Sequence, residues 1–140
     1  MRTPAARDGS DRADSQVANI LVNVLSSSSV TRLPLREPTY YTLAVLLDGP
    51  LHGYGIIKAI KEHSGGRVRL TAGTLYGTLD RLVTEGMVQA DGEERVEGRV
   101  RRYYRITPSG AQLVKAEAER LHEAARVVRE RRPRAGEVFA

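Results

Sequence analysis

The stretch RLTAGTLYGTLDRLVTEGMV, Arg69–Val88, decides how this chain is read. Thr71 stands where an N-cap hydroxyl would accept a hydrogen bond from a first-turn amide. At about 100° per residue, Leu75, Leu79, Leu82 and Val83 fall on one arc, with Ala72 and Tyr76 at its edge. Gly86 supplies the stop. The opposite arc holds Gly73, Thr74, Gly77, Asp80, Arg81 and Thr84 in place of the usual lysine and glutamate mixture. A glycine inside a helix costs on the order of 1 kcal/mol relative to alanine. Two on one exposed arc therefore imply a partner that must come close to the backbone.

The segments around this helix fix its context. In EPTYYTLAVLLDGP, Glu37–Pro50, Pro38 occupies a first helical turn and Gly49-Pro50 ends the element, with Tyr40, Leu43, Leu46 and Leu47 as the apolar stripe. LHGYGIIKAIKEHSGG, Leu51–Gly66, gives a second helix with Ile56, Ile57 and Ile60 inward and Gly65-Gly66 as cap. Its HGYG lacks the Lys-Ser/Thr ending of a phosphate loop and reads as a turn plus helix entry. After the quoted stretch, MVQA (Met87–Ala90) and VRRYYRI (Val100–Ile106) are expected as two short strands joined by the loop Asp91–Arg99. Val100, Tyr104 and Ile106 alternate with Arg101, Tyr103 and Arg105, the period of a sheet with one covered face. Arg102 breaks the alternation, so it either twists outward or pairs with a carboxylate. A last helix opens at TPSG, with Thr107 as cap and Pro108 at its first position. Val114, Ala118, Leu121, Ala125 and Val128 recur at spacings of four and three, a heptad seam too small to stand alone. It is expected to pack on another helix, with a second subunit favoured over the same one.

The chain divides into residues 1–15, a polar disordered tail; 16–37, a short helix (Val17, Ile20, Leu21, Val24, Leu25) and a serine-rich linker; 38–107, the domain proper; 108–130, the terminal helix; and 131–140, a basic tail. A transient, unfolded segment is the alternative for Val17–Leu25. With 140 residues the expectation is one domain plus tails. Lys+Arg 22 against Asp+Glu 17 gives a formal charge of +5, which suits a polyanionic partner. The absence of cysteine excludes disulfides, thiolate chemistry and Cys-based zinc sites. His52, His63 and His122 fall in three different segments, so no metal or other cofactor is expected. No Ser/His/Asp or Cys/His set exists, and the adjacent Glu93 and Glu94 sit in the expected loop, so no enzyme is expected either. The apolar run from Val17 is about half of the roughly 20 residues a membrane span needs, and no signal peptide is read. The expectation is a cytoplasmic protein without a membrane role.

Helix, helix, helix, two-stranded hairpin, helix is the order of a winged helix-turn-helix, mainly α with a small β wing. In that architecture the third helix enters the DNA major groove and the hairpin touches the flanking backbone. Double-stranded DNA is then the expected partner. On the recognition helix the candidate contacts are Thr71, Gly73, Thr74, Tyr76, Gly77, Thr78 and Arg81; on the wing they are Arg99, Arg101, Arg102 and Arg105. Threonine hydroxyls can bond phosphates or base edges, and arginine can pair bidentately with guanine. Other readings stand beside these. Thr74 can be a solvated helix residue, Arg81 can pair with Glu85 four residues on, and a charged edge strand can serve only to prevent aggregation. An RNA-binding or protein-binding winged helix is the rival function.

HGYGIIKAI from His52, LTAGTLYGTLDRLVTEGMV from Leu70 and RRYYRITPSG from Arg101 together resemble the PadR family of bacterial transcriptional regulators, over roughly Pro38 to Leu121. The resemblance implies a winged-helix DNA-binding domain and a homodimer held by the C-terminal helix (Val114, Ala118, Leu121, Ala125, Val128) with help from an N-terminal helix. It further implies repression at a pseudo-palindromic operator, Tyr76 at the DNA face, a wing from Arg99 to Arg105, and in some members release by a small hydrophobic or phenolic effector. Tyr76 lies at the border of the apolar arc and reads as half core, half phosphate contact. Trp is absent and the single Phe, Phe139, is in the tail, unlike the aromatic dimer interfaces of ligand-responsive members.

Overall fold

A computed structural model of the chain describes residues 32–134. The N-terminal tail, the Val17–Leu25 helix and the last residues of the basic tail lie outside the described residues. Every described helix and strand belongs to the unit Pro34–Ala140.

Helix α1, Glu37–Leu46, starts with proline in its first turn and is ended by the Gly49 turn, where φ is 138°. Its buried residues are Thr39, Thr42, Leu43, Val45 and Leu46, whereas Leu47 is 44% exposed and Tyr40 only half-buried. The expected stripe is thus corrected. α1 packs on three other helices and on a strand, so its inward arc is wide enough to take in two threonines. Thr42 Oγ1 is buried and has no hydrogen-bond partner among the described residues.

Leu51–His52 forms a short strand, β1, that leads into α2, Gly53–His63, with Ile56 and Ile60 fully buried. Gly66 N–H donates to Lys61 O at 2.7 Å and closes that helix, with Gly65 and Gly66 both at positive φ. α3, Ala72–Thr84, is capped by Thr71, whose Oγ1 accepts from Thr74 N–H at 3.2 Å. Leu75, Leu79 and Leu82 are completely buried against α1 and α2, and Gly86 at φ 75° turns the chain out of the helix.

The sheet has three antiparallel strands in the order β1-β3-β2, with β2 Val88–Val96 and β3 Arg99–Ile106. This corrects the two-stranded expectation on two points. Leu51 pairs with Tyr104 and His52 with Tyr103, adding the strand β1. The segment expected as a nine-residue loop is mostly strand. Asp91-Gly92 is a bulge between the Ala90 and Glu93 pairs, and the hairpin turns only at Glu97-Gly98, with φ of 52° and 75°. Positive φ at both central residues matches a two-residue turn whose twist suits the flanking strands.

α4, Pro108–Arg129, is set on this hairpin by Thr107. The Thr107 hydroxyl accepts from Gly110 N–H at 3.1 Å and donates to Gly86 O at 2.7 Å. A Cβ on Gly110 would lie 2.1 Å from Met87 O, so only glycine lets the first turn of α4 approach the entry to β2 this closely. The inward residues of α4 are Gly110, Leu113, Val114 and Glu117; from Ala118 to Arg129 every residue is exposed. Glu117, 1% exposed, accepts hydrogen bonds from the Leu35 backbone N–H and the Arg120 guanidinium, tying the chain before α1 to the middle of α4. These elements together form a winged helix-turn-helix.

Candidate nucleic-acid interface

The outer face of α3 is built from exposed Thr71, Gly73, Thr74, Tyr76, Gly77 and Arg81. A Cβ added at Gly73 or Gly77 would meet nothing within 4 Å. Packing among the described residues therefore gives no reason for either glycine, and the helix-propensity cost of both stands uncompensated among them. Thr71 Oγ1 also donates to Thr74 Oγ1 at 3.1 Å, which leaves the Thr74 hydroxyl proton free to point outward.

Thr78 does not belong to this face. It is 7% exposed and its hydroxyl donates to Thr74 O at 2.8 Å, because position 78 lies between Leu75 and Leu82 on the inward side. Val83, expected inward, is 41% exposed at the opposite edge. Tyr76 is 46% exposed, and its hydroxyl end rests on Gly53, where a Cβ would come within 2.5 Å of Oη. Half of that ring packs against the start of α2 and half faces outward. Arg81 is exposed in the last turn of α3, and its Nη2 donates to Thr39 Oγ1 at 2.8 Å. The guanidinium thereby braces α3 against the first turn of α1.

On the wing, Arg99, Arg101, Arg102 and Arg105 are all exposed. Arg102 combines both sequence readings: its side chain is 71% exposed and its Nε lies 3.2 Å from Glu93 Oε1. Arg105 Nε is 4.0 Å from Asp91 Oδ1. Arg99 and Arg101 form no ion pair among the described residues. The alternation expected to cover one face fails toward the hairpin tip, where Val100 is 51% exposed, and holds at the base, where Tyr104 is buried. Desolvation pushes the Tyr104 phenol above its usual pKa. The Tyr103 hydroxyl donates to Glu94 Oε2 at 2.7 Å, which raises its pKa, and its ring meets His52 edge-on at 5.5 Å.

Between α2, α3 and the wing runs a groove lined by His52, Tyr54, Tyr76, Glu97, Arg99 and Arg101. Tyr54, 72% exposed, was not singled out in the sequence; an aromatic flanked by glycines at a helix entry is the signal that marks it. Lys58 and Lys61 follow it at helical spacing on the exposed side of α2.

The C-terminal seam divides. Val114, 2% exposed, belongs to the core of its own chain and not to an intersubunit seam, because the first half of α4 lies on α1 and β3. Ala118, Leu121, Ala125 and Val128 remain exposed, Leu121 by 42% and Val128 by 74%, beside Arg126 paired with Glu123 and Glu130. Among the described residues no group of three or more His, Cys, Asp or Glu could hold a metal ion, and no helix is long and apolar enough to cross a membrane.

Residues 42–116 match the family model described as the transcriptional regulator PadR-like family. Over 81 residues the chain is 36% identical to the transcriptional regulator Rv3488 of Mycobacterium tuberculosis, covering 58% of this chain and 72% of that protein. Over 76 residues it is 45% identical to an uncharacterised 37.1 kDa protein in a transposon of Streptomyces fradiae, a match to 54% of this chain but only 20% of the relative's length. A solved transcriptional regulator from Clostridium thermocellum superposes with a TM-score of 0.56 at 28% identity, over 66% of this chain and 87% of that one. With more than half of its length on the family model and its helices and wing in the winged-helix order, the chain belongs to the PadR-like family of transcriptional regulators.

Proposed function

We propose that this protein is a sequence-specific double-stranded DNA-binding repressor that works in the cytoplasm as a homodimer on a pseudo-palindromic operator. The observation that carries the reading is the outer face of α3, smooth at Gly73 and Gly77 for no reason found among the described residues and bordered by the hydroxyls of Thr71 and Thr74. The N-terminal residues of a recognition helix reach base edges, so Thr74 is the base reader, with Tyr76 and the wing arginines Arg99 and Arg101 on flanking phosphates. Arg81, in the last turn and tethered to Thr39, suits a phosphate better than a guanine edge.

The exposed stripe Ala118, Leu121, Ala125 and Val128 would pair with its copy in a second subunit. Two recognition helices related by a twofold axis then read half-sites roughly 34 Å apart. Repression follows from occupancy of the promoter. Release by a small hydrophobic or phenolic effector is supported by the family resemblance alone.

The test is a fluorescence titration of the purified chain against its own promoter region, a scrambled duplex and a single-stranded RNA, at two salt concentrations. Preference for the promoter by roughly a thousandfold or more supports the reading. Equal, salt-labile binding to both duplexes overturns operator specificity. Preference for the RNA would give exposed Tyr54 and Tyr76 a stacking role, and no binding to any of them would point to a protein-interaction module.

A further inference from the structure

The wing carries its own acid. Asp91, Glu93, Glu94 and Glu97 share the hairpin with its arginines, and the strand register sets Glu93 directly opposite Arg102 and Glu94 opposite Arg101. The Glu93–Arg102 pair is closed at 3.2 Å, while both side chains stay more than half exposed, at 58% and 71%. An exposed pair of this kind stabilises a fold only weakly, too little for stability to be its main consequence. Its larger effect is on the guanidinium, whose donors a carboxylate and a phosphate take up in the same way. Arg102 lines both the groove facing Tyr76 and the groove beside Asp80 and Val83, so it lies between the recognition helix and the hairpin.

We propose that Glu93 limits operator affinity by occupying Arg102, so that a DNA phosphate must displace a carboxylate before the wing can grip. The inference rests on the DNA-binding reading above. In a loose encounter with arbitrary sequence nothing holds the wing against the backbone, and the exchange yields little. Once α3 is seated in its site, the phosphate is presented to Arg102 at high effective concentration and the exchange goes to completion. The ion pair is then broken in full, so Glu93 lowers affinity for the operator at least as much as affinity for arbitrary DNA.

The test is a four-variant cycle of the full chain (wild type, Glu93→Gln, Arg102→Gln and the double variant) titrated with the scrambled duplex and the promoter duplex at several salt concentrations. Both positions are exposed, and a thermal melt confirms that each variant folds. Glu93→Gln is expected to bind the promoter duplex about two- to fivefold more tightly, and the scrambled duplex by no larger a factor. On the scrambled duplex its salt slope should be steeper by up to about 0.9 as the contact is recovered, and its promoter preference should hold or rise. In the Arg102→Gln background the gain should vanish. An unchanged affinity for the promoter duplex overturns the proposal, as does a fall in promoter preference. So does an equal gain without Arg102, which would make Glu93 a plain repulsive charge. If neither wild type nor Glu93→Gln binds any duplex, the DNA-binding reading falls and this inference with it. Equal wild-type binding to both duplexes sinks operator recognition alone, and the cycle still decides whether Glu93 masks Arg102.

Discussion

Gly77 and Gly110 show that one residue type does opposite work at two places. At Gly77 nothing lies within 4 Å of a prospective Cβ, so Gly77→Ala should stabilise the fold by up to about 1 kcal/mol in denaturant titration. The same methyl should hold α3 off the duplex and weaken promoter binding about tenfold, equivalent to about 1.4 kcal/mol. A variant that gains stability and keeps full affinity would remove the main support for the α3 interface. At Gly110 the methyl would strike Met87 O at 2.1 Å, and Gly110→Ala should cost about 1–3 kcal/mol by the same denaturant titration, toward the upper end because the obstruction is backbone. Arg81 is a third case. Its tie to Thr39 fixes the guanidinium at the far end of α3, so Arg81→Ala should weaken binding to all duplexes alike. A loss confined to one base position in a panel of mutated operators would make it a base reader.

At the scale of the element, α4 has two halves with different tasks. Its first half is held by Glu117, a carboxylate that nothing in the surrounding run of charged residues marks as buried. The hydrogen bond from Arg120, helped by the Leu35 N–H, keeps the Glu117 carboxyl below the usual carboxylate range despite its burial. A depressed folded-state pKa means that the stabilisation is complete above the ordinary carboxylate range. It shrinks as the pH falls, because the unfolded chain takes up the proton first, and it is gone below the lowered folded value. Glu117→Gln should therefore be less stable than wild type by about 1–3 kcal/mol at neutral pH, and the gap should close in acid. Thermal melts of both proteins across that range check it; a gap independent of pH would assign the loss to packing.

At the scale of the whole molecule, the second half of α4 projects an apolar stripe that the described chain does not cover. If that stripe is the subunit interface, Leu121→Glu should convert a dimer into a species of the 15.4 kDa monomer mass in sedimentation, with the fold intact because Leu121 is 42% exposed. Promoter affinity should fall with it, since the two half-sites would no longer be bound by one particle. A monomeric wild type would overturn the stripe as an interface. Truncation at Pro108 would not test the same point, because it removes Leu113 and Val114 from the core.

Local chemistry alone determined much of this protein. The caps at Thr71 and Thr107, the stops at Gly49, Gly66 and Gly86, the leucine spacing of α3 and the basic return strand were all legible, because each depends on residues within about one turn of one another. That locality also made the winged-helix order and the glycine-threonine face readable. The rest depends on what a residue meets from distant parts of the chain. Whether Val114 faces its own core, and whether Arg81 is braced by Thr39, is decided by packing against parts of the chain distant in sequence. The inward place of Thr78 between Leu75 and Leu82, by contrast, was there to be read on the helix itself. The pairing of Leu51–His52 with β3 exists only because α2 begins beside the hairpin. The bulge at Asp91-Gly92, which in sequence reads as a turn, is turned into strand by cross-strand hydrogen bonds that no local propensity encodes. Glu117 is the clearest instance. In sequence it is one more charge on a solvated helix, and only the arrival of the Leu35 amide makes it a buried anchor.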